Sequence, residues 1–128
     1  MTRINLVPPS ELCDQHLLAE HRELTRIPNA VLRCRYSLEN QPKEYTLGKG
    51  HVKFFYDKLG FLVWRYGVLH LECCNRGFDV KYRFPTDLDE LDESLFKCYD
   101  PTPEALALNR ARIAERLEAM KPRWTLHK

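Results

Sequence analysis

Three observations predict an all-α domain with a short N-terminal arm. Apolar residues recur at helical spacing, capping signals bracket three long segments, and the alternating pattern of a half-buried strand is scarce. Residues 1–9 form the arm, closed by Pro8-Pro9. Ser10 is a good N-cap residue, and the first helix is expected to run from there to about Cys34 or Tyr36. Its apolar stripe is Cys13, Leu17, Leu24, Ile27 and Val31, with a kink expected at Pro28, which removes one helical hydrogen bond. The polar, glycine-containing stretch 37–50 reads as a loop. A second helical region covers about His51 to Arg76, with Gly77 as the residue just past its end and Phe78 packing back behind it. Gly60 and Gly67 weaken that region, so two shorter helices meeting near Gly60 are an alternative. Phe54, Phe55, Tyr56, Phe61 and Trp64 read as core, with base stacking as the minority role. The acidic stretch 79–100 is irregular. Thr102-Pro103 is a cap followed by a first-turn proline, and it starts a third helix that runs to about Met120, with Pro122 ending it.

Length and composition bound the function. A chain of 128 residues and 15.2 kDa has room for one core, a single domain spanning 1–128. No apolar run approaches the ~18 residues of a membrane span and no signal-peptide pattern opens the chain, so a cytoplasmic protein without membrane contact is expected. Five cysteines, two of them the adjacent Cys73-Cys74, give no disulfide framework and no zinc spacing. They read as reduced. The net charge of +2 conceals an asymmetry, because Asp87, Asp89, Glu90, Asp92 and Glu93 crowd one short run. Setting those five aside leaves 20 basic against 13 acidic residues. A remainder of that sign can hold a polyanion if its arginines share a face.

The chemistry gathers near the N-terminus. Removal of Met1 would leave Thr2 with a free α-amine, whose ordinary pKa near ~8 keeps much of it uncharged at neutral pH. Such an amine beside a carboxylate and arginines is equipped for Schiff-base chemistry at a sugar carbon; the plainer alternative is a frayed terminus. On a helical wheel with Arg22 at zero, Arg26 falls near ~40° and Arg33 near ~20°. The apolar stripe centres near ~180°, and Glu23 and His16 fall on the seam near ~100° and ~120°. A carboxylate half shielded from water and flanked by cations suits the stabilisation of an iminium and a proton transfer. An intrahelical pair with Arg26 is the ordinary alternative for Glu23, and a packed, hydrogen-bonded ring that for His16. Arg3, Arg22 and Arg26 can make bidentate phosphate contacts, or simply solvate a helix face. Arg112 and Arg116, at i and i+4, and then Lys121 and Arg123 add cations along the third helix. Gly48-Lys49-Gly50 could let backbone amides approach a phosphate, although GxG is frequent in loops.

Met1-Thr2-Arg3-Ile4-Asn5-Leu6, Asp14-Gln15-His16-Leu17, Ala19-Glu20, Arg22-Glu23-Leu24 and Arg26 resemble the N-terminal block of the pyrimidine-dimer DNA glycosylase family, that of phage endonuclease V. Leu47 to Leu59 is similar to a second block of the family, and Arg76-Gly77-Phe78 and Arg112 to Trp124 resemble its later parts more loosely. The resemblance implies a DNA repair glycosylase with abasic-site lyase activity on damaged double-stranded DNA, acting as a monomer without metal or cofactor. It implies that the Thr2 amine is the nucleophile, Glu23 its acid/base partner, and His16 an active-site neighbour. It further implies that Arg112 and Arg116 are DNA contacts, with Arg3, Gln15, Arg22, Arg26, Lys121 and Trp124 on the same binding face. Arg65, outside the matched blocks, is expected to be a bystander. Two departures stand out: the tail Pro122-Arg123-Trp124-Thr125-Leu126-His127-Lys128 keeps a tryptophan but lacks the family's tyrosines, and the loop at 37–46 is short. The chemistry is thus better supported than specificity for dimers. A glycosylase/lyase for another lesion, or a module that kinks DNA without cutting it, are the alternatives.

Overall fold

The computed structural model describes residues 2–121 and 123–127. Pro122, the expected stop of the third helix, lies outside the described residues. The regular structure is helical: α1 (Asp14–Glu23), α2 (Arg26–Leu32), α3 (His51–Phe55), α4 (Leu59–Asn75) and α5 (Pro103–Met120), with 3-10 turns at Pro9–Glu11 and Glu93–Leu95. The three predicted helical regions are therefore present, and the first two are each divided.

The first division does not fall at Pro28. The helix breaks at Leu24-Thr25, and Pro28 is the third residue of α2. A proline ring collides with the carbonyl four residues back, which here belongs to Leu24. In the first turn of a new helix the missing N–H is one that would have had no partner anyway. Ser10 is not the N-cap either. It sits inside the 3-10 turn set by Pro8-Pro9, and Cys13 occupies the cap position of α1 without a side-chain cap bond. The Asp14 N–H instead donates to the Thr125 carbonyl at 2.6 Å, so the C-terminal tail serves as the cap.

The second region parts at Tyr56–Lys58, just before Gly60. A Cβ on Gly60 would lie 2.7 Å from the Phe96 carbonyl oxygen, so only glycine allows the 96–97 backbone to cross there. Gly77 has φ +87°; its N–H donates to the Cys74 carbonyl and that of Phe78 to Cys73, the paired bonds that close a helix C-terminus. α5 begins as its sequence implies, with Thr102 Oγ1 accepting from the Ala105 N–H at 3.0 Å. The stripe Cys13, Leu17, Leu24, Ile27 and Val31 is buried throughout, as are Phe54, Phe55 and Phe61. Trp64 is not core: it is 58% exposed on α4. Its apolar character has to be explained otherwise.

α1 and α4 lie against each other through polar as well as apolar groups. Asp14 meets Arg76 at 3.0 Å, His21 meets His70 at 3.0 Å, and Glu20 takes a bidentate pair from Arg65 at 2.8 and 3.1 Å. Arg65 is thus no surface bystander. At 1% exposure it is among the largest fully buried side chains, and the carboxylate of Glu20 offsets the cost of burying its charge.

Candidate functional site

Residues 4–7 of the arm run extended through the interior without a neighbouring strand, so each buried backbone group needs a side-chain partner. The Ile4 N–H donates to His51 Nε2 at 2.8 Å, and the Ile4 carbonyl accepts from the Tyr45 hydroxyl at 2.9 Å. Asn109 Oδ1 accepts from the N–H groups of Leu6 and Val7 at 2.6 and 3.2 Å, while Arg65 Nη1 donates to the Val7 carbonyl at 2.6 Å. Asn5 bridges the two sides, donating to Glu20 at 2.8 Å and accepting from Asn109 at 2.9 Å. His51 is fixed in turn by its Nδ1 against the Thr46 carbonyl at 2.8 Å. Since Nε2 must accept, the ring is neutral, and burial holds its pKa below the ordinary value. These contacts fix where the arm emerges.

It emerges beside an open cleft of about 290 Å³ between α1 and α5. Arg3, His16, Glu20, Glu23, Arg112 and Arg116 supply the polar wall, and Ala19, Ile113, Ala119 and Met120 much of the apolar one. Burial first, then repulsion from Arg112 and Arg116, lowers the Arg3 pKa. His16 is half-buried and its pKa is also depressed, by burial and then by Arg3 and Arg116, with Glu20 opposing. A crowded cationic cleft of this kind holds an anion well, because an anion relieves the mutual repulsion of the arginines. Glu23 projects into it with its side chain 15% exposed, 3.4 Å from the solvated guanidinium of Arg22. The ion-pair partner is thus Arg22, not Arg26.

Arg26 lies on α2 and reaches back to the arm, its Nη1 donating to Thr2 Oγ1 at 3.4 Å. Arg22 and Arg26 are exposed, but the break between α1 and α2 means that they and Arg33 do not share one continuous helix. Three other expected residues lie elsewhere. Gln15 faces the tail, accepting from the Thr125 N–H at 2.9 Å and donating to the Arg123 carbonyl at 3.3 Å. Its neighbour Asp14 holds the same segment, accepting from Thr125 Oγ1 at 2.6 Å and from the backbone and ring of His127; these bonds and Arg76 outweigh burial and keep its pKa low. Trp124 is half-buried within that tail, off the cleft wall. Lys121 is exposed and pairs with Glu118 at 3.0 Å.

The residues that hold the arm were not among the expected site residues: Tyr45, His51, Arg65 and Asn109, together with Glu20, which binds Arg65 and Asn5. Asn109 left a legible signal. It lies midway between Ala105 and Ile113, at i−4 and i+4 on the buried face of α5, where a polar residue needs a specific partner. Among the described residues no group of three or more His, Cys, Asp or Glu could hold a metal ion, and no helix is long and apolar enough to cross a membrane.

A basic cleft between helices, with a carboxylate on its wall and a buried clamp on the N-terminal arm, defines a small helical protein with a site whose charge suits an anionic ligand. Residues 1–86 match the family model described as pyrimidine dimer DNA glycosylase, and the chain belongs to that family. It is thereby a DNA repair glycosylase whose substrate is DNA. The match covers the arm and α1 to α4. α5, with Arg112 and Arg116, lies beyond it and joins the cleft through the fold.

Proposed function

We propose that the protein excises pyrimidine dimers from duplex DNA and cleaves the resulting abasic site through a Schiff base on the Thr2 α-amine. A damaged base has to leave the stack, and distorted sites cost less to open. The amine, freed by removal of Met1, attacks the sugar C1′; the glycosidic bond breaks and its electron pair leaves with the base. The nitrogen lone pair then forms C1′=N as the C1′–O4′ bond breaks, O4′ keeping the electron pair and taking the proton shed by the amine, and the resulting iminium acidifies the C2′ proton. Glu23 takes that proton, the C3′–O bond breaks, and the 3′ phosphate departs. Arg3, Arg22, Arg26, Arg112 and Arg116 hold the phosphates, so affinity falls as salt rises.

The observation that carries this reading is that Glu23 and Arg3 line one cleft, with Thr2 adjoining Arg3 on an arm fixed by buried hydrogen bonds. Borohydride trapping tests it. A chain beginning at Thr2 is expected to become covalently attached to lesion-bearing DNA. One that retains Met1 or is N-acetylated is expected to bind but not to be trapped. Trapping by the blocked protein would move the nucleophile to a lysine. A cleavage panel of a cyclobutane dimer, an abasic site and oxidised purines tests the lesion.

A further inference from the structure

His51 is not among the residues that line the cleft, yet it holds the arm close to its N-terminal end. Of the buried backbone bonds that clamp residues 4–7, the one from the Ile4 N–H to His51 Nε2 at 2.8 Å is nearest to Thr2. The two residues of chain between Ile4 and Thr2 reach at most ~7 Å, so a displacement of Ile4 passes to the terminus.

The imidazole is held on every side. His51 is the first residue of α3, behind Gly50, whose φ is +89° and where a Cβ would lie 2.8 Å from the Pro42 side chain. Tyr45 and Phe55 stand edge-on to the ring at 5.4 and 5.6 Å, and the Tyr45 hydroxyl is committed to the Ile4 carbonyl. Nδ1 faces the Thr46 carbonyl at 2.8 Å, so Nδ1 carries the proton and Nε2 is bare. A second proton would have to go on Nε2, pointing at the Ile4 N–H, donor against donor. The charged groups acting on the ring are Arg3 of the arm and Arg112 of α5, both cations. We propose that His51 is a positioning residue for the glycosylase reaction: its bare Nε2 sets the Thr2 amine against the cleft, and a proton on that nitrogen releases the arm. The inference rests on Thr2 being the nucleophile. His51 touches neither sugar nor base. Misplacing a reacting atom by about 1 Å costs on the order of 100-fold in rate, whereas the phosphate contacts of the arginines persist.

Two substitutions separate the ring nitrogens. A Gln side chain brings its carbonyl oxygen to about the place of Nε2, while Asn reaches only as far as Nδ1. His51→Asn should lower imine trapping and single-turnover cleavage ~10–100-fold, with the Kd for a lesion-bearing duplex within about twofold of wild type. His51→Gln should restore most of the rate. In the wild type, log rate should fall with a slope of one below the amine's pKa near ~8 and steepen toward two below about pH 6, as His51 takes its proton. In His51→Gln the slope should stay at one. His16 titrates in the same range, so a slope of two that persists in His51→Gln would give the second proton to another group and overturn the proposal. Equal losses in both variants, or a loss of affinity matching the loss of rate, would do the same, since they mark a histidine that only holds the fold. The Ile4 amide reads the bond without the chemistry: its hydrogen-exchange protection factor should drop as the pH falls through the His51 titration, in N-acetylated protein too. Trapping of an N-acetylated chain would sink the Thr2 reading; an Ile4 protection factor that ignores the His51 titration would sink this one.

Discussion

Glu23 lies on the cleft wall, only loosely held by Arg22 at 3.4 Å, and in the proposed reaction it takes the C2′ proton. Glu23→Gln keeps the shape of the side chain, so the fold should persist. Strand cleavage should fall by about two to four orders of magnitude, because the amide neither takes the proton nor balances an iminium. Single-turnover cleavage of an abasic-site duplex measures it; a loss of only a fewfold would leave Glu23 as a surface ion-pair partner. Asn109 works differently, since it lies on α5 and holds the arm instead of touching the chemistry. Asn109→Leu leaves the Leu6 and Val7 N–H groups and the Asn5 side-chain Oδ1 buried without their acceptor and donor. Urea unfolding should show a loss of about 2–4 kcal/mol. Arg65→Ala belongs to the same group, because it strands Glu20 in the interior, and a cost of about 3–5 kcal/mol is expected.

At the scale of elements, the cleft is assembled from an arm, a short broken helix pair and α5. Helical phase decides which arginines reach a ligand. Arg116 lines the cleft, whereas Arg110, six residues earlier on α5, is turned away and bound to Glu11 by two hydrogen bonds of 2.8 and 3.0 Å. Arg116→Ala and Arg26→Ala should each flatten the slope of log affinity against log salt by about 0.9 per lost phosphate contact. Arg110→Ala should leave the slope unchanged. Salt titrations on one lesion-bearing duplex compare the three, and equal effects would mean that the charge acts diffusely. Arg33, just past α2 and off the α1 axis, should have the smaller effect expected from its distance along the chain.

For the whole molecule, stability should depend on pH through its buried imidazoles. His16, His21 and His51 all have folded pKa values below the ordinary 6.5, mainly because burial disfavours the cation. His70 adds a like-charge penalty at His21. Between the unfolded value and the depressed folded ones the unfolded chain binds more protons, so stability falls as pH drops through that window. It is present in full above about pH 7. Asp14 and Asp57, whose pKa values are lowered by hydrogen bonds, remove more stability below their ordinary 3.8. Calorimetric Tm should therefore be flat above neutrality, decline below about pH 6.5, and fall again in strong acid. His21→Asn should reduce the first decline. An unchanged pH profile in that variant would mean that the His21–His70 contact carries no proton linkage.

The sequence by itself determined what local rules reach. Apolar spacing gave the buried stripe of α1 and α2, Thr102-Pro103 started α5, Gly77 closed α4, and the residues of the N-terminal blocks pointed to the family. Those signals are written within a few residues of each other, where backbone sterics and capping operate. The helix boundary at Leu24 needed one further step, because a proline acts four residues upstream of itself. The arm's partners were out of reach. Ile4 meets His51 across 47 positions and Leu6 meets Asn109 across 103, and no periodicity says which distant polar side chain will satisfy a buried N–H. Burial inverted two other readings for the same reason: Arg65 became interior because Glu20 faces it, and Trp64 became surface because the core of α4 was filled by Leu62, Tyr66 and Leu69. Which side of a nearly all-apolar helix meets the core is decided only when its neighbours pack.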